Sequence, residues 1–214
     1  MNKFKITLFS TIAFAVFAFA GTIISFYIKH PQNRHHADEH AHAIDGHTNP
    51  YSHLGGDFTL QSAEGKLSLA DFKGKLVILY FGFIHCPDIC PASLARIAHA
   101  LKQLTEAQQQ QIQTLMISID PERDTPEMLK SYVETFYPGF IGLVGDPQEI
   151  KRIALSYGAY AHQMHSPDST EPRLDHTTKI YLMNRQGQVI KMFSHDILPD
   201  QLAKEIKGLI QESV

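Results

Sequence analysis

Only two cysteines occur in the 214 residues, Cys86 and Cys90, both in the stretch YFGFIHCPDICPASL. A loop closed over three intervening residues constrains the unfolded chain very little, so the pair is a poor structural staple. Excess basic charge is missing as well: 19 Lys and Arg stand against 22 Asp and Glu, a formal net charge of −3. No basic surface therefore points to nucleic acid as a partner. A peroxidase of the peroxiredoxin kind requires P-x-x-x-T/S-x-x-C around its cysteine, and Phe83 stands where the Ser or Thr should be. With 43% hydrophobic and 19% charged residues the chain has a folded, globular composition rather than a disordered one.

Charge is absent altogether from Ile6 to Ile28. As a helix that run spans about 35 Å, enough to cross a hydrocarbon core of about 30 Å. The A-x-A look of Ala18–Ala20 ahead of Gly21 raises a cleaved signal peptide as the competing reading. The apolar run continues past it through GTIISFYI, which favours an uncleaved anchor. Lys3, Lys5 and the amino group set the N-terminus inside, opposed by Lys29 and Arg34 beyond the run. No Arg- and Ser-rich transit segment precedes it, which favours a bacterial inner membrane over an organelle. The expectation is a cytoplasmic stub at 1–5, a single-pass transmembrane helix at 6–28 and a C-terminal domain in the periplasm.

Residues 29–53 carry seven histidines, with turn formers at Pro31, Gly46 and Asn49-Pro50 and no apolar periodicity. They read as a tether, either a plain solvated spacer or a loose store of imidazoles for divalent metal. From 54 to 214 the pattern is that of one domain. FTLQSAEGKLSL alternates around Gly65 as a hairpin. KLVILYFGF is a continuous apolar run, the mark of a central strand buried on both faces. Leu94, Ile97, Ala98, Leu101 and Leu104 make a helical stripe with Pro91 in its first turn. TLMISID and IGLVGD read as further strands, and Thr125-Pro126 and Asp146-Pro147 as helix starts. A hairpin turning near Gln186-Gly187 and an amphipathic helix over LPDQLAKEIKGLIQES close the chain. Strands alternating with helices, followed by an antiparallel pair, predict an α/β fold with a mixed central sheet flanked by helices.

The cysteines fall where the central strand gives way to a helix, a placement that a thioredoxin-like fold provides. Helix amides and dipole there favour a thiolate. If 86–90 forms one helical turn, the two Cβ atoms lie about 5–6 Å apart, wider than the roughly 3.8 Å of a relaxed disulfide. A shared metal ion tolerates that gap, so spacing tilts towards metal without deciding against redox exchange. His176 in RLDHTTKIY is the candidate third ligand. It precedes the strand of the last hairpin, in a position that faces the cysteine turn and where thioredoxins carry a cis-proline; this chain has none there. Two thiolates and an imidazole form a soft site suited to Cu(I), whereas structural zinc asks for four ligands. HQMH (His162, Met164, His165) could add a fourth ligand or form a loop lid.

YFGFIHCPDICP, SIDPERDTPE and LDHTTKIYLMNRQG, in this order after an N-terminal apolar run, resemble the Sco/SenC family of copper-binding cytochrome c oxidase assembly proteins. The resemblance covers roughly residues 54–214. It implies a thioredoxin-like fold and a metallochaperone that holds copper through Cys86, Cys90 and His176, Cu(I) foremost with Cu(II) as the other candidate state. It implies as partner the subunit II of cytochrome c oxidase or a similar copper-site protein, with thiol reductant proteins upstream. Asp120 looks like an acidic neighbour that the family keeps near the site, and Asp175 like the acceptor that orients His176 through its second ring N–H. The alternative function is a thiol-disulfide oxidoreductase reducing the cysteines of a copper-site target. The histidine-rich tether is not part of the family pattern.

Overall fold

β3 (Leu76–Gly82) explains most of the architecture, because all seven of its residues are buried. A strand with no polar face has to be covered on both sides, which places it in the middle of a layered sheet. β4 (Ile112–Ser118) runs parallel to it with Leu76 opposite Ile112 and Gly82 opposite Ser118, and β5 (Phe140–Leu143) runs parallel beside β4. On the other flank β8 (Lys179–Met183) is antiparallel to β3, and β9 (Val189–Ser194) closes the edge. The order β5-β4-β3-β8-β9 is the expected mixed sheet. The hairpin of β1 (Thr59–Ser62) and β2 (Gly65–Ser68) joins β5's edge through reciprocal Gln61–Val144 backbone hydrogen bonds.

The computed structural model describes residues 49–164, 173–176 and 178–211. The expected stub, anchor and nearly all of the tether lie outside the described residues, and among the described residues no helix is long and apolar enough to cross a membrane. The described residues form one compact unit. Asn49 belongs to it already, its side-chain amide donating to the carbonyl of Val189 at 2.7 Å, while Tyr51 and Leu54 pack on the core.

The helices form where the stripe and cap signals place them. α1 (Ile89–Leu101) buries Cys90, Leu94, Ile97, Ala98 and Leu101, one face of a helix at 3.6 residues per turn. α2 (Glu106–Gln109) is a single turn that no apolar stripe announces; Thr105 and Gln108 hold it by a capping box. α3 (Pro126–Glu134) starts on the Thr125 hydroxyl, which accepts from the Met128 amide, and α4 (Pro147–Ser156) starts on the Asp146 carboxylate. α5 (Pro199–Gln211) packs along α1 through Leu202, Ala203, Ile206 and Ile210. Phe81 of β3, Tyr157 and Tyr181 form a buried aromatic cluster with centroids 5.7–5.8 Å apart, edge-to-face or tilted as ring quadrupoles favour.

One short pair departs from expectation. β6 (Ala161–Met164) and β7 (Arg173–His176) form their own antiparallel ribbon. HQMH is therefore not simply a loop lid: His162 and Met164 are strand residues, and His165 lies outside the described residues. Asp175 and His176 likewise belong to a strand rather than to a bare loop ahead of one, with His176 registered on Ala161 and Asp175 on His162.

Candidate metal centre

Three chain segments meet at one end of the sheet. β3 and β4 are parallel and both finish there, at Gly82 and Ser118, while the antiparallel β8 starts there at Lys179. The cysteine turn follows β3, the 119–124 turn follows β4, and β7, ending at His176, precedes β8 by two residues. The topology thus brings the backbone of His176 and Asp175 to the same end as Cys86 and Cys90.

The cysteine turn is not a helical turn. α1 begins only at Ile89, so Cys90 is helical and Cys86 sits in the turn before it, its amide donating to the Phe83 carbonyl at 3.4 Å. Pro87 lacks an N–H and cannot extend the helix backwards with a full set of hydrogen bonds. The Cys90 amide, at the open N-terminus of α1, donates to the Cys86 sulfur at 3.4 Å. An amide with no intrahelical acceptor and the positive end of the helix dipole both favour a thiolate at Cys86.

The two sulfurs differ in access and in proton affinity. Both residues are free of disulfide; Cys86 is half-buried and Cys90 fully buried. The hydrogen bond with the Cys86 sulfur, then burial and the charge of Cys86, push the Cys90 thiol far above the usual thiol range. Cys90 therefore holds its proton firmly. The Tyr80 hydroxyl, buried under α1, donates to the Cys90 sulfur at 3.6 Å. Gly82 makes the necessary space: a methyl group there would stand 2.8 Å from the Tyr80 ring and 3.1 Å from the Cys90 sulfur.

The 119–124 turn is fastened to the cysteine turn by a buried carboxylate. Oδ2 of Asp124 accepts from the Ile84 amide at 3.2 Å and from the Ser118 hydroxyl at 2.6 Å. The Ile119 amide donates to the Gly82 carbonyl at 2.9 Å, closing the same junction. Charge-assisted bonds of this type contribute about 1.5–3 kcal/mol each. Burial, the largest influence, raises the Asp124 carboxyl above the usual range, against the opposing pull of those two donors. Its other oxygen, Oδ1, is buried with no hydrogen-bond partner and lies 3.8 Å from Nδ1 of His85. Asp120 is buried too, but its Oδ2 is held by Arg123 at 2.6 Å through both Nε and a terminal nitrogen. One ligand-capable atom from each of His85, Asp120 and Asp124 lies within 4.8 Å of the others. Tyr132 adds a buried hydroxyl without a hydrogen-bond partner, and burial, the largest influence, raises it above its usual range.

Sequence reading missed Tyr80, Gly82, His85 and Asp124 as parts of this end of the fold. For the first two a signal existed: in a buried strand of period 2, Tyr80 and Gly82 share a face, and a small residue beside a polar aromatic marks a place where something must fit. Asp124 was hidden by its neighbour Thr125, whose capping role accounts for the local sequence without it.

A mixed sheet whose central strand runs through a cysteine turn into a helix, with one accessible and one sealed thiol, defines a thioredoxin-like dithiol protein. The SCO1/SenC family model matches residues 46–211, and the chain belongs to that family. It is 37% identical over 202 residues to "Protein SCO1 homolog 1, mitochondrial" of Arabidopsis thaliana, covering 91% of this chain and 60% of that relative's length. The copper-bound structure of Bradyrhizobium japonicum ScoI superposes with a TM-score of 0.66 at 36% identity, covering 73% of this chain and 99% of that one. The copper-bound crystal structure of Arabidopsis thaliana ScoI gives a TM-score of 0.69 at 36% identity, covering 74% of this chain and 99% of that one.

Proposed function

We propose that the protein is a membrane-anchored copper metallochaperone that serves assembly of the dinuclear copper centre of cytochrome c oxidase. Cys86, Cys90 and His176 are its copper ligands, Asp175 orients His176, and copper is cargo rather than a resident cofactor. In this reading residues 6–28 anchor the chain in a bacterial inner membrane, 29–53 tether it, and the domain works in the periplasm. The observation that carries the reading is the cysteine turn itself. Two sulfurs share one helix N-terminus, the first accepting the Cys90 amide, and such a soft donor pair suits Cu(I). Family membership and the copper held by two similar structures support the same cargo. A third ligand at His176 is supported by the meeting of β3's end with the segment that leads into β8. A half-buried Cys86 leaves a way in for an acceptor's thiols, which displace ligands one at a time; a sealed four-ligand cage would retain the ion.

A second reading rests on the same asymmetry of the sulfurs. As a thiol-disulfide oxidoreductase, the Cys86 thiolate attacks a target disulfide, forming a mixed disulfide and releasing one target thiolate. Cys90 then loses its proton and attacks the Cys86 sulfur, freeing the second target thiol and leaving Cys86–Cys90 oxidised by two electrons. The experiment that separates the readings is a Cu(I) titration, against a competing chelator, of the reduced 214-residue chain in detergent and of its His176→Ala variant. Copper delivery expects at least a tenfold weaker tightest site in the variant. Equal affinities, with target-disulfide reduction intact, would leave only the oxidoreductase.

A further inference from the structure

The buried oxygen of Asp124 is the least accounted-for polar atom at this end of the fold. Asp124 is 3% exposed, and its Oδ2 has two donors while its Oδ1 has none. A charged oxygen out of water requires compensation. The direction in which it faces holds a second buried carboxylate, Asp120, and the half-exposed ring of His85, with one potential ligand atom from each residue within 4.8 Å of the others. Arg123 engages Oδ2 of Asp120, which fixes that carboxylate in place and leaves its second oxygen available. Two carboxylates stand against one guanidinium beside the His85 ring.

We infer that His85, Asp120 and Asp124 form a second cation site, separate from the thiols, that takes a divalent ion such as manganese or zinc. One imidazole nitrogen and two carboxylate oxygens are a hard-to-borderline donor set, the opposite preference from the two sulfurs, so Cu(I) is not its occupant. Metal–ligand bonds of about 2.0–2.2 Å bring ligand atoms to roughly 3–3.5 Å from one another. From 3.8 Å the His85 ring needs only a small side-chain rotation to comply, and as the exposed member it is free to make one. The carboxylates are already set: Asp124 by Ile84 and Ser118, Asp120 by Arg123. His85 immediately precedes Cys86, so an ion here would grip the cysteine turn at its first residue. The inference does not depend on the identity of the ion at the thiols.

The test is a Mn2+ titration of the reduced 214-residue chain in detergent, followed by loss of the free-ion EPR signal. Mn2+ is the appropriate probe because it stands lowest in the divalent affinity series and shuns thiolates, which keeps the cysteines out of the measurement. The seven tether histidines are common to every variant, so the difference between proteins is what counts. The expected result is one equivalent bound by the parent and at least tenfold weaker binding in both Asp124→Asn and His85→Ala. Asp124→Asn perturbs a buried network, whereas His85→Ala alters a half-exposed ring and leaves the core intact. The site is overturned if the parent takes up no Mn2+, or if His85→Ala binds as tightly as the parent. In either case the ring and Asp124 are neighbours with no ion between them.

Discussion

Replacing Gly82 by alanine tests the packing beneath the cysteines. Gly82 lies outside the positive-φ region, so the substitution strains no backbone and its effect is steric. A Cβ would meet the Tyr80 ring at 2.8 Å, the Cys90 sulfur at 3.1 Å and the end of Met116 at 3.2 Å. The Met116 methyl can swing away; Tyr80 is locked in the sheet and Cys90 in α1, both fully buried. Overpacking of this kind costs about 1–3 kcal/mol. Alanine recovers about 0.5–1 kcal/mol through strand propensity and a less free unfolded chain. The net loss is centred on about 1 kcal/mol, a fall in Tm of roughly 2–4 °C for a domain of this size. Because the sulfur is among the displaced atoms, Cu(I) affinity should fall in the same variant. Gly139→Ala is the control: its Cβ would meet nothing nearer than the Tyr137 ring at 3.6 Å, an ordinary contact. Thermal unfolding and Cu(I) competition on parent, Gly82→Ala and Gly139→Ala decide the matter. A Gly82→Ala protein that melts with the parent and binds copper equally well would refute the packing argument.

Brief iodoacetamide treatment of the reduced chain at neutral pH, read by peptide mass mapping, should modify Cys86 and spare Cys90, since Cys90 is sealed and holds its proton. The raised Cys90 thiol also sets a pH dependence. An unfolded cysteine ionises near 8.5, the folded one well above it, so this stabilisation is fully present below about pH 8.5 and drains away as pH rises further. Melting scans between pH 7.5 and 9.5 should show a steeper decline for the reduced parent than for Cys90→Ala, and matching slopes would contradict it.

The sheet and its helices were legible because their signals are local. A seven-residue run without a polar face can only be a central strand, and Thr125-Pro126 and Asp146-Pro147 write helix starts in two residues each. The β6–β7 ribbon was not legible. AHQM and RLDH have no alternation to recommend them, and pairing across the segment between them is a long-range choice that short strands do not advertise. The 86–90 turn failed for a related reason. Helical spacing was a fair prior for five residues running into a helix, but Pro87 and the Cys90 amide's bond to sulfur hold Cys86 outside it.

The two sulfurs are equivalent in the sequence and inequivalent in the fold, and that difference constrains either proposed function. Anything arriving from solution, a copper donor, an acceptor's thiols or a target disulfide, can reach Cys86 and not Cys90. The Cys90 amide also donates to the Cys86 sulfur, which favours a thiolate at that accessible position. Exchange of copper and exchange of electrons therefore begin at the same atom, and no substitution of Cys86 can tell them apart. Cys90 discriminates little better, since both routes require its sulfur in the second step. The burden falls on His176, whose backbone the chain brings to this end of the sheet although dithiol chemistry has no use for an imidazole there. A substitution at that residue leaves both thiols in place, which is why its effect on Cu(I) binding carries more weight than any loss seen on removing a cysteine.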